Sequence, residues 1–456
     1  MKKDVKEIRV FNWSNFFLLE EENNLFAVKN KQGIYIWDII RYEVYFSLLR
    51  DQLVTADGLQ KKNIGKYLNV VKDLLALAGF ILFGKRKYFF LSLARNKDNE
   101  GRAYDQNIDD VLSELHQDAF ILETFDGDKH NCKYKHFVYN RIVLLKKIIM
   151  PLLKTEDYTA IIKLVKERFG KCLLTNQDIN RLIKSFRIEY AYYRFLLKTK
   201  KIKAAFITQN GIQKGLFAAA HDLQVPIVEF QHGLIEPEHI AYSYSKEINY
   251  EQGQIHLPDY FFSFAEYWGK TVYLPVKEII PIGNTAFSRR SYTEAPAGNA
   301  IVVASANVYG EDLKKLVLDF VAFDQETLVY FKLHPNQFNE YDYYCSEFSS
   351  YKNVQVIRGE RTMQQLIAAT KAVLIIKSTA IYEALHAERI GIVYQKQKKL
   401  PADPILNFPN VYVVSNAVEL SAALNNRFIG GKATADIFFK AFDKELFLGF
   451  MKHINS

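Results

Sequence analysis

A two-domain α/β chain, with a doubly wound parallel sheet in each half, is the fold class that the sequence predicts. At 456 residues the chain exceeds what one hydrophobic core serves. Strand-length apolar runs alternate with helix-length amphipathic segments over Ala204–Asn284 and again over Ala300–Tyr394, the pattern of parallel strands joined by crossover helices. Between the two series, Thr285–Asn299 is polar and irregular, with Arg289-Arg290 and Ala295-Pro296-Ala297-Gly298. The expected division is a first domain at 1–285 with a helical elaboration at its start, a linker at 286–299 and a second domain at 300–456.

Gly33 marks a turn, after which Trp37, Ile40, Val44 and Leu48 keep helical spacing and predict a core-facing helix. Residues 58–83 continue as helix, with Leu68, Val71, Leu74 and Leu75 on one face, and Lys87–Leu93 reads as a strand. The polar loop after that strand offers Arg95 and Arg102 to an anionic acceptor. Helices are expected at Asp157–Phe169 and Asp178–Leu197. The period then changes: strand Ala204–Thr208, helix Gly211–Leu223 and strand Pro226–Phe230 form a βαβ unit that runs into Gln231-His232-Gly233. Strands at 259–264 and 278–281 close the first series. The second series has strands at 300–305, 327–333, 354–357, 373–377 and 390–394, with helices at 311–323, 362–369 and 381–387.

Composition narrows the function classes. No apolar run reaches the ~18 to 20 residues of a membrane span, and Met1-Lys2-Lys3-Asp4-Val5-Lys6-Glu7 lacks a secretory signal's apolar region, so a cytoplasmic chain is expected. Cys132, Cys172 and Cys345 lie far apart without zinc or disulfide spacing. A formal charge of +9 favours anionic partners, nucleotides and phospholipid surfaces among them. No basic run is interleaved with aromatics and no zinc-finger or helix-turn-helix signature is present, which argues against nucleic acid. The absence of G-x-G-x-x-G and of a Walker A lysine leaves a dinucleotide dehydrogenase and a P-loop ATPase unsupported.

Two strand ends stand out. Val329-Tyr330-Phe331-Lys332-Leu333 stops at His334-Pro335, because a proline cannot donate to a ladder, and this places His334 at a strand tip. Val373–Lys377 repeats the design, followed by Ser378-Thr379 and a helix carrying Glu383. In open α/β sheets ligands bind at the carboxyl ends of strands, so the two tips are expected to face one ligand.

These residues resemble a known family. Lys332-Leu333-His334-Pro335 with Ser378-Thr379 ahead of Glu383 is similar to the HP and paired-hydroxyl motifs of bacterial sialyltransferases and polysialyltransferases. CDP-glycerol glycerophosphotransferases carry a similar pair. Gln231-His232-Gly233 resembles the His-Gly of those glycerophosphotransferases, where the histidine serves as base, and Pro281-Ile282-Gly283-Asn284 resembles the turn that leaves the N-terminal domain. Over about residues 202–415 the chain thus resembles a GT-B glycosyltransferase of bacterial capsule or lipopolysaccharide assembly. It departs from the pattern in having Ser378-Thr379 for Ser-Ser or Ser-Gly, and no acidic D/E-D/E-G motif.

The resemblance implies two Rossmann-like domains facing a central cleft, with metal-independent catalysis and no cofactor beyond a nucleotide-sugar substrate. The donor it implies is a CMP-linked acidic sugar such as sialic acid or Kdo, and the acceptor an oligosaccharide or glycolipid reached by peripheral contact with the inner face of an anionic membrane. On this reading Ser378 and Thr379 contact phosphate and Glu383 accepts from ribose hydroxyls. His334, Pro335, Lys332, Ser305, Asn307 and Arg358 complete the donor half-site. His232 is the expected general base, with a free pKa near 6.5 that suits the task, and Gln231 and Gly233 border the acceptor. Glu229, Glu236, Glu238 and His239 are alternative bases. A polyol-phosphate transferase using CDP-glycerol or CDP-ribitol, a UDP-sugar epimerase and a non-catalytic carbohydrate-binding scaffold are the competing readings.

Overall fold

The computed structural model describes residues 13–49, 77–79, 86–94, 96–98, 100–124, 131–134, 137–208, 213–237, 239–288, 298–306, 309–395, 404–429 and 437–455. Two parallel sheets dominate it. The first contains β1 (Tyr88–Ser92), β4 (Ala119–Thr124), β5 (Phe137–Asn140), β6 (Ala204–Thr208), β7 (Ile227–Phe230), β8 (Tyr260–Phe262) and β9 (Glu278–Ile280) in the order β5-β4-β1-β6-β7-β8-β9. The short β2 (Asn96–Lys97) and β3 (Ala103–Tyr104) form an antiparallel hairpin beside it. The second sheet contains β10 (Ala300–Ala304), β11 (Leu328–Lys332), β12 (Val354–Ile357), β13 (Ala372–Ile375), β14 (Ile390–Tyr394) and β15 (Val411–Val414) in the order β12-β11-β10-β13-β14-β15.

Each sheet grows outward from its first strand and then returns to that strand's other side. The order reverses between β1 and β6 and between β10 and β13, and such a switch opens a crevice at the carboxyl edge of the sheet. These are the two Rossmann-like, doubly wound halves expected of a GT-B architecture. Strands buried on both faces read as unbroken apolar runs: Phe89 and Leu91 of β1 pack on one side of the sheet and Phe90 on the other.

The first sheet begins much earlier than the βαβ pattern indicated. β1 pairs with both β4 and β6, so residues 88–92 form its centre, and β4 and β5 were not foreseen as strands at all. The expected helix at 58–83 lies outside the described residues except for 77–79.

A second difference concerns the end of the chain, expected within the 300–456 unit. Its last helix, Lys444–Asn455, packs instead on the first sheet, with Phe450 ring centroids 4.9 Å from Tyr260 and 5.0 Å from Phe262. The Pro281–Asn284 turn makes the return possible. Gly283 adopts φ +82°, and a Cβ there would lie 2.1 Å from the Ala441 carbonyl oxygen, so only glycine fits. Asn284 N–H donates to the Lys440 carbonyl at 2.9 Å and Asp443 N–H to the Ile282 carbonyl at 2.8 Å.

The elaboration at the start holds the loop between β7 and β8. Arg41, buried on the helix Trp37–Leu49, pairs through Nε with Glu20 at 2.5 Å and donates to the carbonyls of Ile240 at 2.6 Å and Ser243 at 3.0 Å. One helical turn away, buried Asp38 accepts from Lys214 Nζ at 2.9 Å and from the His256 backbone N–H at 2.7 Å. Burial would raise the Asp38 pKa, but Lys214 and His256 outweigh it and hold the carboxyl below the usual carboxylate range. The two networks clamp the loop at its middle and near its far end.

Removing one partner of such a buried pair strands a charge. Arg41→Ala is therefore expected to destabilise the protein by about 3 to 5 kcal/mol in urea unfolding, and adding Glu20→Leu to recover part of the loss. A loss for Arg41→Ala under about 1 kcal/mol, the range of a surface pair, would remove the clamp from this account.

Candidate active site

The loop after β7 assembles a hydrogen-bonded relay. Glu229 lies on β7, between β6 and β8 in the interior of the first sheet, with its side chain fully buried. Its Oε1 accepts from the Tyr242 hydroxyl at 2.8 Å, and that hydroxyl lies 3.3 Å from Nδ1 of His232. A tyrosine hydroxyl has one proton, and the carboxylate takes it; Nδ1 of His232 must then be the donor to the Tyr242 oxygen. This tautomer puts the ring's basic lone pair on Nε2. A carboxylate thus orients an imidazole through a phenol, the arrangement in which a base is held by a third group.

The sequence reading missed Tyr242, which sits in an irregular loop thirteen residues beyond Glu229. Burial, then the Glu229 charge, raises its pKa well above the ordinary tyrosine value, so it stays a neutral bridge.

Two further residues of the loop sit close by. Glu236 pairs with Lys377 Nζ at 2.6 Å, which joins the first half to the tip of β13 in the second. His239 Nδ1 accepts from the Ala241 N–H at 3.3 Å. Burial first, then the charges of His232 and Lys377, lower the His239 pKa to about 4. A group that weakly basic is a poor proton acceptor near neutral pH, which leaves His232 the better-suited imidazole. Glu238 lies outside the described residues.

The flanking residues divide between room and support. At Gly233 nothing lies within 4 Å of the place a Cβ would take, so there is space beside His232. Gln231 corrects an expectation: buried, it donates from Nε2 to the Gly233 carbonyl at 2.9 Å and accepts from the Phe264 N–H at 2.9 Å. Both ends of its amide brace the loop, and the side chain is not offered to an acceptor. Arg102 is held within its own hairpin by Asp98 at 2.8 Å and Glu100 at 3.2 Å. Arg95 lies outside the described residues.

In the second half the β11 and β13 tips lie on either side of β10. Pro335 opens a 3-10 turn, Pro335–Glu340, and Nδ1 of exposed His334 accepts from the Asn336 N–H at 3.2 Å. The proton of a neutral ring then sits on Nε2, which remains a donor. Lys332 Nζ donates to the Arg358 carbonyl, and the Arg358 guanidinium lies 5.0 Å from the Tyr341 ring centroid. At the β13 tip, Ser378 Oγ accepts from the Ala380 N–H at 3.2 Å, so Ser378 caps the helix Ala380–His386, whereas Thr379 makes no capping bond. Glu383, half-buried, is on that helix between buried Tyr382 and Ala384.

Ser305 is the second correction. It is buried at the β10 tip and its Oγ donates to Gln337 Oε1 at 2.9 Å, which ties the tip to the His334 turn. Gly310 allows the approach, since a Cβ there would lie 2.6 Å from Gln337 Nε2 and 2.3 Å from the Tyr344 hydroxyl. Ser305 thus braces the tip. Asn307 lies outside the described residues.

No family model and no curated protein sequence matches the chain. Solved structures that resemble it include a UDP-GlcNAc 2-epimerase from Methanocaldococcus jannaschii, with TM-score 0.49 and 12% identity over 80% of this chain and 99% of that one. MurG from Acinetobacter baumannii gives 0.45 and 10% over 81% and 100%, and the wall teichoic acid polymerase TagF gives 0.42 and 9% over 87% and 99%. Likeness of this degree concerns the chain path and does not choose an activity.

The lowered His239 pKa has a pH signature. Below about pH 6.5 the unfolded chain takes up this proton while the folded protein does not, so the contribution is full above pH 6.5 and is lost as the pH falls toward 4. The loss is about 3 kcal/mol over that window, levelling off below it. The stability–pH curve of His239→Gln, measured beside the wild type, should lack this slope; parallel curves would contradict the assignment.

Proposed function

We propose that the protein is an inverting glycosyltransferase that moves an acidic sugar from a CMP-linked donor to a hydroxyl of an oligosaccharide or glycolipid acceptor. The observation that carries this reading is the Glu229–Tyr242–His232 relay, joined through the Glu236–Lys377 pair to the tip that bears Ser378 and Thr379. A base on one side of a cleft and hydroxyl donors on the other is what transfer from a phosphate leaving group requires. In the reaction Nε2 of His232 takes the acceptor hydroxyl's proton. The oxygen forms a bond to the anomeric carbon as that carbon's bond to the phosphate oxygen breaks, and the nucleotide leaves with the electron pair.

The remaining residues have roles consistent with this step. Ser378, Thr379 and the Nε2–H of His334 offset the phosphate charge that grows on departure, and Glu383 accepts from the ribose. Glu229 stabilises the imidazolium through Tyr242. No step calls for a metal ion. The Gln231-His232-Gly233 resemblance supports a second reading, transfer of a polyol phosphate from a CDP-polyol, in which the same base acts and the new bond forms at phosphorus. An epimerase is less favoured, because Glu229 is committed to Tyr242 and Glu236 to Lys377.

Thermal shift separates the two cytidine-nucleotide readings from the UDP-sugar epimerase. CMP or CDP is expected to stabilise the protein more than UDP, GDP or ADP, by about 2.7 kcal/mol at a hundredfold excess over Kd. Ser378→Ala with Thr379→Ala, and separately His334→Ala, should weaken that binding roughly ten- to hundredfold. His232→Ala should lower transfer by about 10² to 10⁴ with nucleotide binding and melting temperature unchanged. No shift with any nucleotide would end the enzyme reading, and near-normal transfer by folded His232→Ala would move the base to a neighbouring acid.

A further inference from the structure

We propose that the segment Val143–Lys154 is a docking surface for an anionic lipid bilayer. It consists of the helix Ile142–Ile149 and the 3-10 turn Met150–Leu152, which follow directly from the carboxyl end of β5. Its inner side is ordinary core: Ile142 packs in the cluster with Phe120, Leu122 and Val138. Its outer side is not what water selects. Val143 is 58% exposed, Ile148 68% and Leu152 79%, with Ile149 and Pro151 exposed beside them. Contiguous exposed apolar side chains on one short segment mark an interaction surface, unlike the single exposed leucine any protein tolerates.

The charges around the patch choose the occupant. Lys147 and Lys154 are exposed at its two ends and enter no ion pair among the described residues. Lys146 turns inward to Glu189 and does not contribute. Glu156 and Asp157, which accept from the Lys31 and Thr159 N–H groups at 3.0 Å, follow Lys154 in the chain and lie beyond the apolar stretch. An apolar ridge between unpaired cations is the chemistry of a helix lying in an anionic headgroup layer. A second copy of the chain is a poorer occupant, because five apolar side chains fall short of the roughly 20 to 30 residues a side of a stable protein interface. Among the described residues no helix is long and apolar enough to cross a membrane, so the contact is peripheral.

The position adds an argument. Ile142, Val143 and Lys146 also line a cavity of about 300 Å³, together with Thr124 and Asn140 at the ends of β4 and β5. Tyr42, on the helix whose Arg41 holds the relay loop at Ile240, lines the same cavity. A bilayer seated on this surface would lie against the carboxyl edge of the first sheet, where the relay is, and would bring a lipid-borne hydroxyl compound to it.

Flotation with phosphatidylcholine vesicles, with and without phosphatidylglycerol, tests the surface. The wild-type protein is expected to float with the anionic vesicles at low ionic strength and to be released by salt. Ile148→Glu with Leu152→Glu should abolish flotation, and Lys147→Ala with Lys154→Ala should weaken partitioning about tenfold or more. Melting temperature and nucleotide-induced shift should stay unchanged in both variants, and because nucleotide binding is read separately, failure here is distinct from failure of the proposed transfer. The proposal is overturned by a wild-type protein that stays with the unbound fraction, by equal flotation of the glutamate variant, or by a wild-type dimer in sedimentation that Ile148→Glu dissolves.

Discussion

The rest of the site depends on how the irregular loop between β7 and β8 is held. A segment of that length without regular structure cannot satisfy its own backbone, and here buried side chains from the start of the chain do it instead. Arg41 supplies donors to the carbonyls of Ile240 and Ser243, on either side of Tyr242, and Asp38 fixes the backbone at His256. Placing charges at 0 to 2% exposure is costly, and each is matched: Arg41 by Glu20 and the Tyr244 ring 4.5 Å away, Asp38 by Lys214. The gain is geometric, because Tyr242 must sit within hydrogen-bond reach of two residues on the far side of the loop.

That requirement explains what the elaboration at the start of the chain contributes. The family resemblance begins near residue 202 and is silent on what precedes it, yet β1 at 88–92 forms the centre of the first sheet and the helix Trp37–Leu49 holds the loop of the proposed base. These parts belong to the same folding unit as the motifs. A piece beginning at residue 200 would lack the three strands β1, β4 and β5 on one side of β6 and the clamp on the loop.

What could be read from the sequence was whatever leaves a local signature. Pro335 after an apolar run places His334 at a strand tip without any knowledge of neighbours, and Gly283 in Pro281–Asn284 marks a constrained turn, although the returning chain at Ala441 that demands the glycine could not be foreseen. β4 and β5 escaped notice because short strands buried on both faces have no alternation to distinguish them from pieces of a core helix. Long-range partnerships were equally invisible. Gln231 and Ser305 stand where ligand residues stand in such folds, and only the partners Phe264 and Gln337 reveal them as braces; Tyr242 became visible only when the loop brought it back to Glu229.

The charges around His232 show why this assembly suits a base beside an anionic donor. A cleft that must receive phosphate needs cations, and cations resist protonation of a neighbouring imidazole. The structure separates the two demands. Lys377, at the β13 tip, is matched by Glu236, and His239 stays neutral at physiological pH because burial and the surrounding positive charge suppress its proton. In the proposed transfer the carboxylate of Glu229 acts on His232 through Tyr242 without competing for the acceptor's proton, because it is shut inside the sheet. With Lys377 paired and Glu229 buried behind the phenol, the positive charge that His232 gains in that proposed transfer has a stabilising partner on its inner side. Shortening the loop or releasing its clamp would break that separation even with every proposed catalytic residue in place.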